Sequence, residues 1–349
     1  MMNLLPKTNI DFLKYRKVYF TLFGLLLVGG LICFFTKGFN MGIDFTGGTM
    51  VQVKFNAPVE MEQVRHALSS TGANSELQSF GDNSYAISEK STSNEVGVVQ
   101  ERITHALNTL DVPYTVLQTN SVGPAVGSDM TKRALLSIVL AMGFIIIYVA
   151  FRFSNILWGI SGVIALFHDL FLMAVAFSIT QREIDLVVVA AFLTVAGFSI
   201  NDTIVIFDRM RENVRLNPKM SFGDLINLSI NETLSRTIIT TLTVLFALLI
   251  LYFFGGEVIN SFAFAMLIGC ISGVYSTIAL TTPIVYTWTN GEYYDGSHKE
   301  LRPATRENVQ RIAQQAHRRS EQGDEADAFR RVGNYKKHSR HNAKRRNHN

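Results

Sequence analysis

A polytopic α-helical membrane protein with one small α+β domain between its first two membrane helices is the fold class this sequence predicts. Three observations predict it: six long apolar runs, an alternation in where lysine and arginine fall between them, and a single large polar insertion with strand and helix periodicity. The runs lie at roughly Val18–Phe35, Ala134–Phe151, Ile156–Ile179, Leu186–Phe207, Thr237–Phe254 and Phe262–Trp288. Each is near the ~20 residues that a helix needs to cross hydrocarbon. The chain is 48% hydrophobic with a mean hydropathy of +0.20, and the apolar excess is concentrated in these runs instead of being spread as a soluble core pattern.

The cations set the orientation. Lys7, Lys14, Arg16 and Lys17 precede the first run, Arg152 lies between the second and third, and Arg209, Arg211, Arg215, Lys219 and Arg236 fall between the fourth and fifth. The opposite connections, Gln181-Arg182-Glu183 and Gly255-Gly256-Glu257, are poor in them. Cations accumulate on the cytoplasmic side, so both termini of a multi-pass protein are expected there. The layout is then a cytoplasmic segment at 1–17, a span at 18–35, a periplasmic domain with hinges at 36–132, five spans within 133–288 and a basic tail at 289–349. A cleaved signal peptide is the alternative for the first run. Its apolar stretch is long for one, and no small-x-small cleavage site precedes Asp44, so it reads as a retained span. The two cysteines, Cys33 and Cys270, lie in apolar runs, so no disulfide holds the insertion together.

The insertion reads as a compact unit. Thr49, Val51, Val53 and Phe55 alternate with Met50, Gln52 and Lys54, the mark of a half-buried strand. Pro58 suits a helix's first turn, and Met61, Val64, Ala67 and Leu68 follow at helical spacing. Two short strands, Leu77–Phe80 and Tyr85–Ser88, flank Gly81-Asp82-Asn83. A second helix carries Val99, Ile103, Leu107 and Leu110 on one face, and a strand at Tyr114–Gln118 closes the set. The order β-α-β-β-α-β is that of a ferredoxin-like split unit. The insertion has no cluster of His, Cys and carboxylates, so binding or mechanics fits it better than catalysis. Neither a metal nor a cofactor is expected. Asp44-Phe45-Thr46-Gly47-Gly48 and Ser121-Val122-Gly123-Pro124-Ala125-Val126-Gly127 flank it and read as hinge or structural joints. A phosphate cradle would need a strand–loop–helix setting and a P-loop lysine, which both pieces lack.

Few ionisable residues stand inside the runs. His168 and Asp169 fall near the middle of the third. Asp208 and Arg209 mark the rim of the fourth, facing water or headgroups. Asp202 comes seven residues before Arg209, so it lies roughly 10 Å inside that rim. A charged carboxylate there costs at least ~2.5–3.5 kcal/mol. Asn201 offers hydrogen bonds beside it. Arg236, on a helix starting near Asn231, would be carried a turn or more inward to stabilise the ionised form. A carboxylate and an arginine that approach and separate make a proton switch. His168 and Asp169 are read either as part of the same proton path or as a polar pair that staples helices. Gly159, Ser161, Gly162, Ala196, Gly197, Ser199 and the Gly269-x-x-x-Gly273 pair permit close helix approach.

Taken together, "GIDFTGGT" at Gly42–Thr49, "SVGPAVG" at Ser121–Gly127, "FRF" at Phe151–Phe153, "ALFHD" at Ala165–Asp169, "GFSINDTIVIFDRMREN" at Gly197–Asn213 and "SRTIITTLT" at Ser235–Thr243 resemble the SecF family of the bacterial SecD–SecF protein-export complex. The likeness runs over roughly residues 18–288. It implies an RND-superfamily half-transporter pairing with SecD, with protons as the coupling ion and no other cofactor. The implied partners are SecD, the SecYEG channel, YajC, YidC and unfolded preproteins. By the same resemblance the proton-relay aspartate is Asp202, its arginine partner is Arg236, and His168 and Asp169 match the family's His-Asp.

The alternative is an RND-type half-transporter of lipids or small molecules, which would usually carry larger external domains in duplicate on one long chain. An intramembrane protease using Asp169 and Asp202 lacks a Gly-x-Gly-Asp run, and the chain has no His-Glu-x-x-His and no serine–histidine motif, so it does not read as an enzyme. A passive scaffold would leave the burial of Asp202 unexplained. The tail has eight Lys or Arg and no acid between Arg330 and Asn349. It reads as a disordered segment that can rest on anionic lipids, with ribosomal RNA as a weaker alternative.

Overall fold

The computed structural model of the protein describes residues 8–71, 75–79, 83–90, 96–153 and 155–293. The basic tail and the Gly81-Asp82 part of the predicted turn lie outside the described residues. Six helices are long and apolar enough to cross a membrane. After a short 3-10 turn, α1 (Arg16–Lys37) leads into β1 (Asn40–Met41) and a one-turn helix α2 (Ile43–Thr46). The insertion then runs β2 (Gly48–Phe55), α3 (Met61–Ser70), β3 (Ser75–Ser79), β4 (Ser84–Glu89), α4 (Val96–Asn108) and β5 (Tyr114–Val122). Helices α5 (Pro124–Arg152) and α6 (Ile156–Thr180), strand β6 (Glu183–Ile184), α7 (Leu186–Leu216) and α8 (Phe222–Phe254) follow. The last span is α9 (Glu257–Ser276), a π-helical turn at Thr277–Thr281 and α10 (Thr282–Trp288).

The sheet order is β3-β4-β2-β5, antiparallel throughout, which is the pairing of a split βαβ unit. Val51, Val53 and Phe55 of β2 and Ile87 of β4 bury against Val64 and Leu68 of α3 and Ile103 and Leu107 of α4. The opposite sheet face carries no helix of the domain. Pro58 lies outside α3 instead of in its first turn: Glu60 is the N-cap and closes a capping box with Gln63. The segments at 42–48 and 121–127 carry regular secondary structure. The first contains α2. The second is the end of β5, the single residue Gly123 as N-cap, and then α5 beginning at Pro124, where a missing N–H costs nothing.

The two segments interlock. Gly47 has φ +72 and ψ 156, a region that is essentially glycine-only, and a Cβ there would stand 2.8 Å from the Pro124 Cα. Gly127 packs so closely on the Gly47 amide that its own Cβ would lie 2.9 Å from that nitrogen. Strand β1 pairs in parallel with β6, tying the base of the domain to the α6–α7 connection.

In the helical part, α6, α7 and α9 form the centre. The last span has 61% of its most apolar window buried and the first only 6%, so α1 is peripheral. Helices α5 and α8 also carry rows of exposed large apolar residues, including Leu136, Phe144, Phe151, Phe246, Ile250 and Phe254, as a lipid-facing or partner-facing surface would. Two apolar clusters divide the bundle by depth. Val188, Ala191 and Val195 of α7 belong to the one near the domain, and Ile206, Phe207 and Met210 belong to the one at the far end.

Candidate functional site

Between the two apolar clusters lies a polar layer, made of Ser199, Asp202 and Thr203 on α7, Asp169 on α6, and Ser272, Ser276 and Thr277 on the last span, all buried. Small residues bring these helices together. A Cβ on Gly162 would stand 3.2 Å from Thr203 Cγ2, and one on Gly273 would stand 3.4 Å from Ser199 Cβ. Gly269 packs on Val195, one turn above Ser199, so the Gly269-x-x-x-Gly273 face fits α7 along that turn.

Asp169 is wholly buried. Its carboxylate accepts hydrogen bonds from the hydroxyls of Ser199 at 2.6 Å, Ser272 at 2.6 Å and Ser276 at 2.7 Å, and its Oδ1 lies 3.2 Å from His168 Nδ1. The group therefore joins three helices. The His168 ring lies between Phe23 of α1 and Tyr275 of α9, with centroids at 5.3 and 5.9 Å, and its buried Nε2 has no hydrogen-bond partner. Sequence reading missed the three serines as donors. Only the four-residue spacing of Ser272 and Ser276 hinted that they share a helix face.

Asp202 has different surroundings. It is 6% exposed, yet its Oδ2 makes no hydrogen bond. Arg236 is exposed, and no ion pair within 4.0 Å joins it to Asp202 among the described residues. Asn201 is exposed on another face of α7 and does not bond to Asp202. The expected pairing is thus absent as a contact. Helix α8 begins at Phe222 instead of near Asn231, which puts Arg236 about four turns into it. The antiparallel register is set by Arg209 Nε to Glu232 at 2.7 Å and Asn213 to Ser229 at 3.0 Å. Extended by two turns, it brings Arg236–Thr241 level with Asn201–Val205. Thr237 and Thr241 of that stretch have buried hydroxyls without partners. The next turn of α7 is tied to the last span by Thr203 Oγ1 and Thr277 Oγ1, 3.3 Å apart.

Asp208 and Arg209 do more than face water. Asp208 is ion-paired with Arg152 at the end of α5, and Arg209 bonds Glu232 and Glu212 at 2.7 and 2.6 Å. At the other end of α7, Asp44 accepts from the Leu186 amide at 3.1 Å and Asp185 from the Val188 amide at 2.7 Å. Both cap the helix. The Ser88 hydroxyl on β4 donates to Glu183 at 2.8 Å, linking the sheet to the α6–α7 connection. Among the described residues no group of three His, Cys, Asp or Glu is placed to hold a metal.

Six apolar helices, a central polar layer and one small α+β domain define a multi-pass membrane protein. The model of the C-terminal part of the protein export membrane proteins SecD/SecF matches residues 102–291, and the SecD/SecF GG motif matches residues 34–59. The chain is 40% identical to the protein translocase subunit SecF of Calditerrivibrio nitroreducens, over 80% of this chain and 94% of that one. It is 41% identical to that of Endomicrobium trichonymphae, over 82% and 94%. The crystal structure of SecDF, a translocon-associated membrane protein from Thermus thermophilus, superposes with a TM-score of 0.74 at 33% identity, covering 83% of this chain and 40% of that longer one. The chain belongs to the SecF family of protein translocase subunits.

Proposed function

We propose that the protein is a proton-driven accessory subunit of protein translocation in the bacterial inner membrane, with both termini cytoplasmic and the α+β domain outside. It pairs with SecD, and the pair works at the SecYEG channel on unfolded preproteins, with YajC and YidC as further partners. The observation that carries the reading is the Asp202 carboxylate: buried at mid-bundle, with one oxygen unpartnered and an arginine at its level but not bonded. A buried polar atom without a partner is expensive, and it persists most readily where a proton or water comes and goes. Pairing with SecD is supported by the SecDF structure, of which this chain covers less than half, and by the exposed apolar rows on α5 and α8. A half-transporter of lipids finds no comparable support.

The test is Asp202→Asn in a strain lacking the native gene. Export stimulated by the proton gradient is lost, while the variant still co-purifies with SecD. Normal gradient-dependent export by that variant would end the proposal.

A further inference from the structure

The uncovered face of the domain's sheet meets the α6–α7 connection across a cavity of about 150 Å³, which the proton chemistry above does not use. Three amides line the sheet side: Gln52, Gln78 and Asn120. Three carboxylates line the other: Asp44, Glu183 and Asp185. Strand register explains the sheet wall. Gln78 pairs with Ala86, Ala86 with Gln52, and Gln52 with Gln118, so one row crosses the face, and the small Ala86 leaves a trough between two amides. Gln52 is 6% exposed; its backbone pairs in the ladder, and its side-chain amide makes no hydrogen bond to any described residue. The amide lines the cavity, so its unmet bonds are available to whatever occupies it.

Among the described residues no lysine or arginine lines the cavity. Lys90 is held by Glu76 at 2.6 Å. Arg182 turns away to Asn260 at 2.6 Å, Tyr252 at 3.1 Å and the Phe264 ring. The N-terminus of α7 brings a partial positive charge of ~0.5, already answered by its Asp44 and Asp185 caps. Glu183 has one bond, from Ser88, and keeps free lone pairs. The site is therefore net negative and rich in acceptors.

We propose that this cleft binds the cationic tip of a basic side chain, arginine above all, presented by an extended polypeptide, with Glu183, Asp185 and the Gln52 and Gln78 amide oxygens as acceptors. A bare metal ion suits it poorly, because no three ligating groups converge among the described residues. A planar guanidinium with five donors spans spread acceptors, and Met50, Ala86 and Val187 give its methylene stem an apolar wall. The proposal rests on the reading that translocating polypeptide passes on this side of the membrane.

The test is calorimetric titration of the full chain in detergent, without a proton gradient, so it succeeds or fails independently of the Asp202→Asn result. The probes are acetyl-arginine-amide, its neutral isostere acetyl-citrulline-amide, and spermidine as a free amine. The arginine probe binds at least about tenfold more tightly than citrulline. Gln52→Ala and Glu183→Gln each weaken it by roughly threefold to tenfold. Affinity falls as the pH is lowered, and it falls before ordinary carboxyls titrate, because burial raises the Glu183 and Asp185 carboxyls and neutralises them first. Equal binding of arginine and citrulline, or no effect of either substitution, overturns the site. Tighter binding of spermidine than of the arginine probe overturns the polypeptide as its source.

Discussion

Asp169 and Asp202 are both buried carboxylates in apolar helices, and their partners separate their roles. Three hydroxyls converge on Asp169, so the group is satisfied where it stands and fastens α6 to α7 and α9. Hydrogen bonds to a charged group are worth ~1.5–3 kcal/mol. Ser276→Ala is therefore expected to lower unfolding stability in detergent by about that much, and Asp169→Ala by ~3–5 kcal/mol, since it strands three donors. Asp202→Asn should stay within about 1 kcal/mol, because it removes no bond to Oδ2. A larger loss from Asp202→Asn than from Ser276→Ala would reverse this assignment. Both positions were legible in the sequence as charges in apolar runs. Their difference was not, because the donors to Asp169 come from residues 30, 103 and 107 positions away. Arg236 was expected to be drawn inward as a partner, and its exposure was not legible. Arg236→Met should abolish gradient-dependent stimulation with little effect on unfolding, and full activity in that variant would break the proposed link to Asp202.

At the scale of elements, hydropathy located six spans but not the helices that contain them. It reports what tolerates hydrocarbon, and α5, α7 and α8 run on through polar residues such as Asp129, Glu212 and Asn227, where backbone bonding continues regardless of solvent. The two-residue strands β1 and β6 were invisible for another reason: no periodicity can be read in two residues. The π-helical turn at Thr277–Thr281 has a local cause in Pro283, whose ring excludes a regular α-helical bond to Ala279. Its consequence is positional, because it sets Thr277 against Thr203 in the turn next to Asp202. The glycine pair was read as a joint, and the structure adds why glycine is needed. Gly47→Ala combines a positive φ with a clash against Pro124, so it is expected to cost ~1–3 kcal/mol. It should also loosen the junction of β2 with α5, read as faster proteolysis there, whereas Gly24→Ala, which meets nothing within 4 Å, should be silent. Equal proteolysis of the two variants would remove the strain argument.

At the scale of the whole molecule, the external domain is fastened to the helices through the β1–β6 pair, the Gly47–Pro124 interlock and the Ser88–Glu183 bond. The last of these is tied to pH. Burial is the main cause that raises the Glu183 and Asp185 carboxyls; Ser88 and Lys90 oppose it at Glu183 while the charges of Glu76 and Asp185 add to it, and at Asp185 the Val188 amide opposes it while the charge of Asp44 adds to it. A carboxyl raised on folding is bound more tightly when protonated. Its contribution to docking is therefore complete below the ordinary values of 4.5 for Glu183 and 3.8 for Asp185 and is lost as pH rises through the raised ones. Hydrogen exchange at residues 40–41 and 183–184, corrected for intrinsic rates, should show more protection at about pH 5 than at about pH 8. Glu183→Gln should flatten most of that difference, because a neutral amide has no proton to lose. Protection that grows with pH, or a slope unchanged in Glu183→Gln, would show that the contact is not held by these carboxyls. A proton and a cationic side chain would then be alternative occupants of one cleft, each relieving the same buried charge. An excess of the arginine probe at about pH 8 is accordingly expected to restore the protection that acid provides, and the citrulline probe is not.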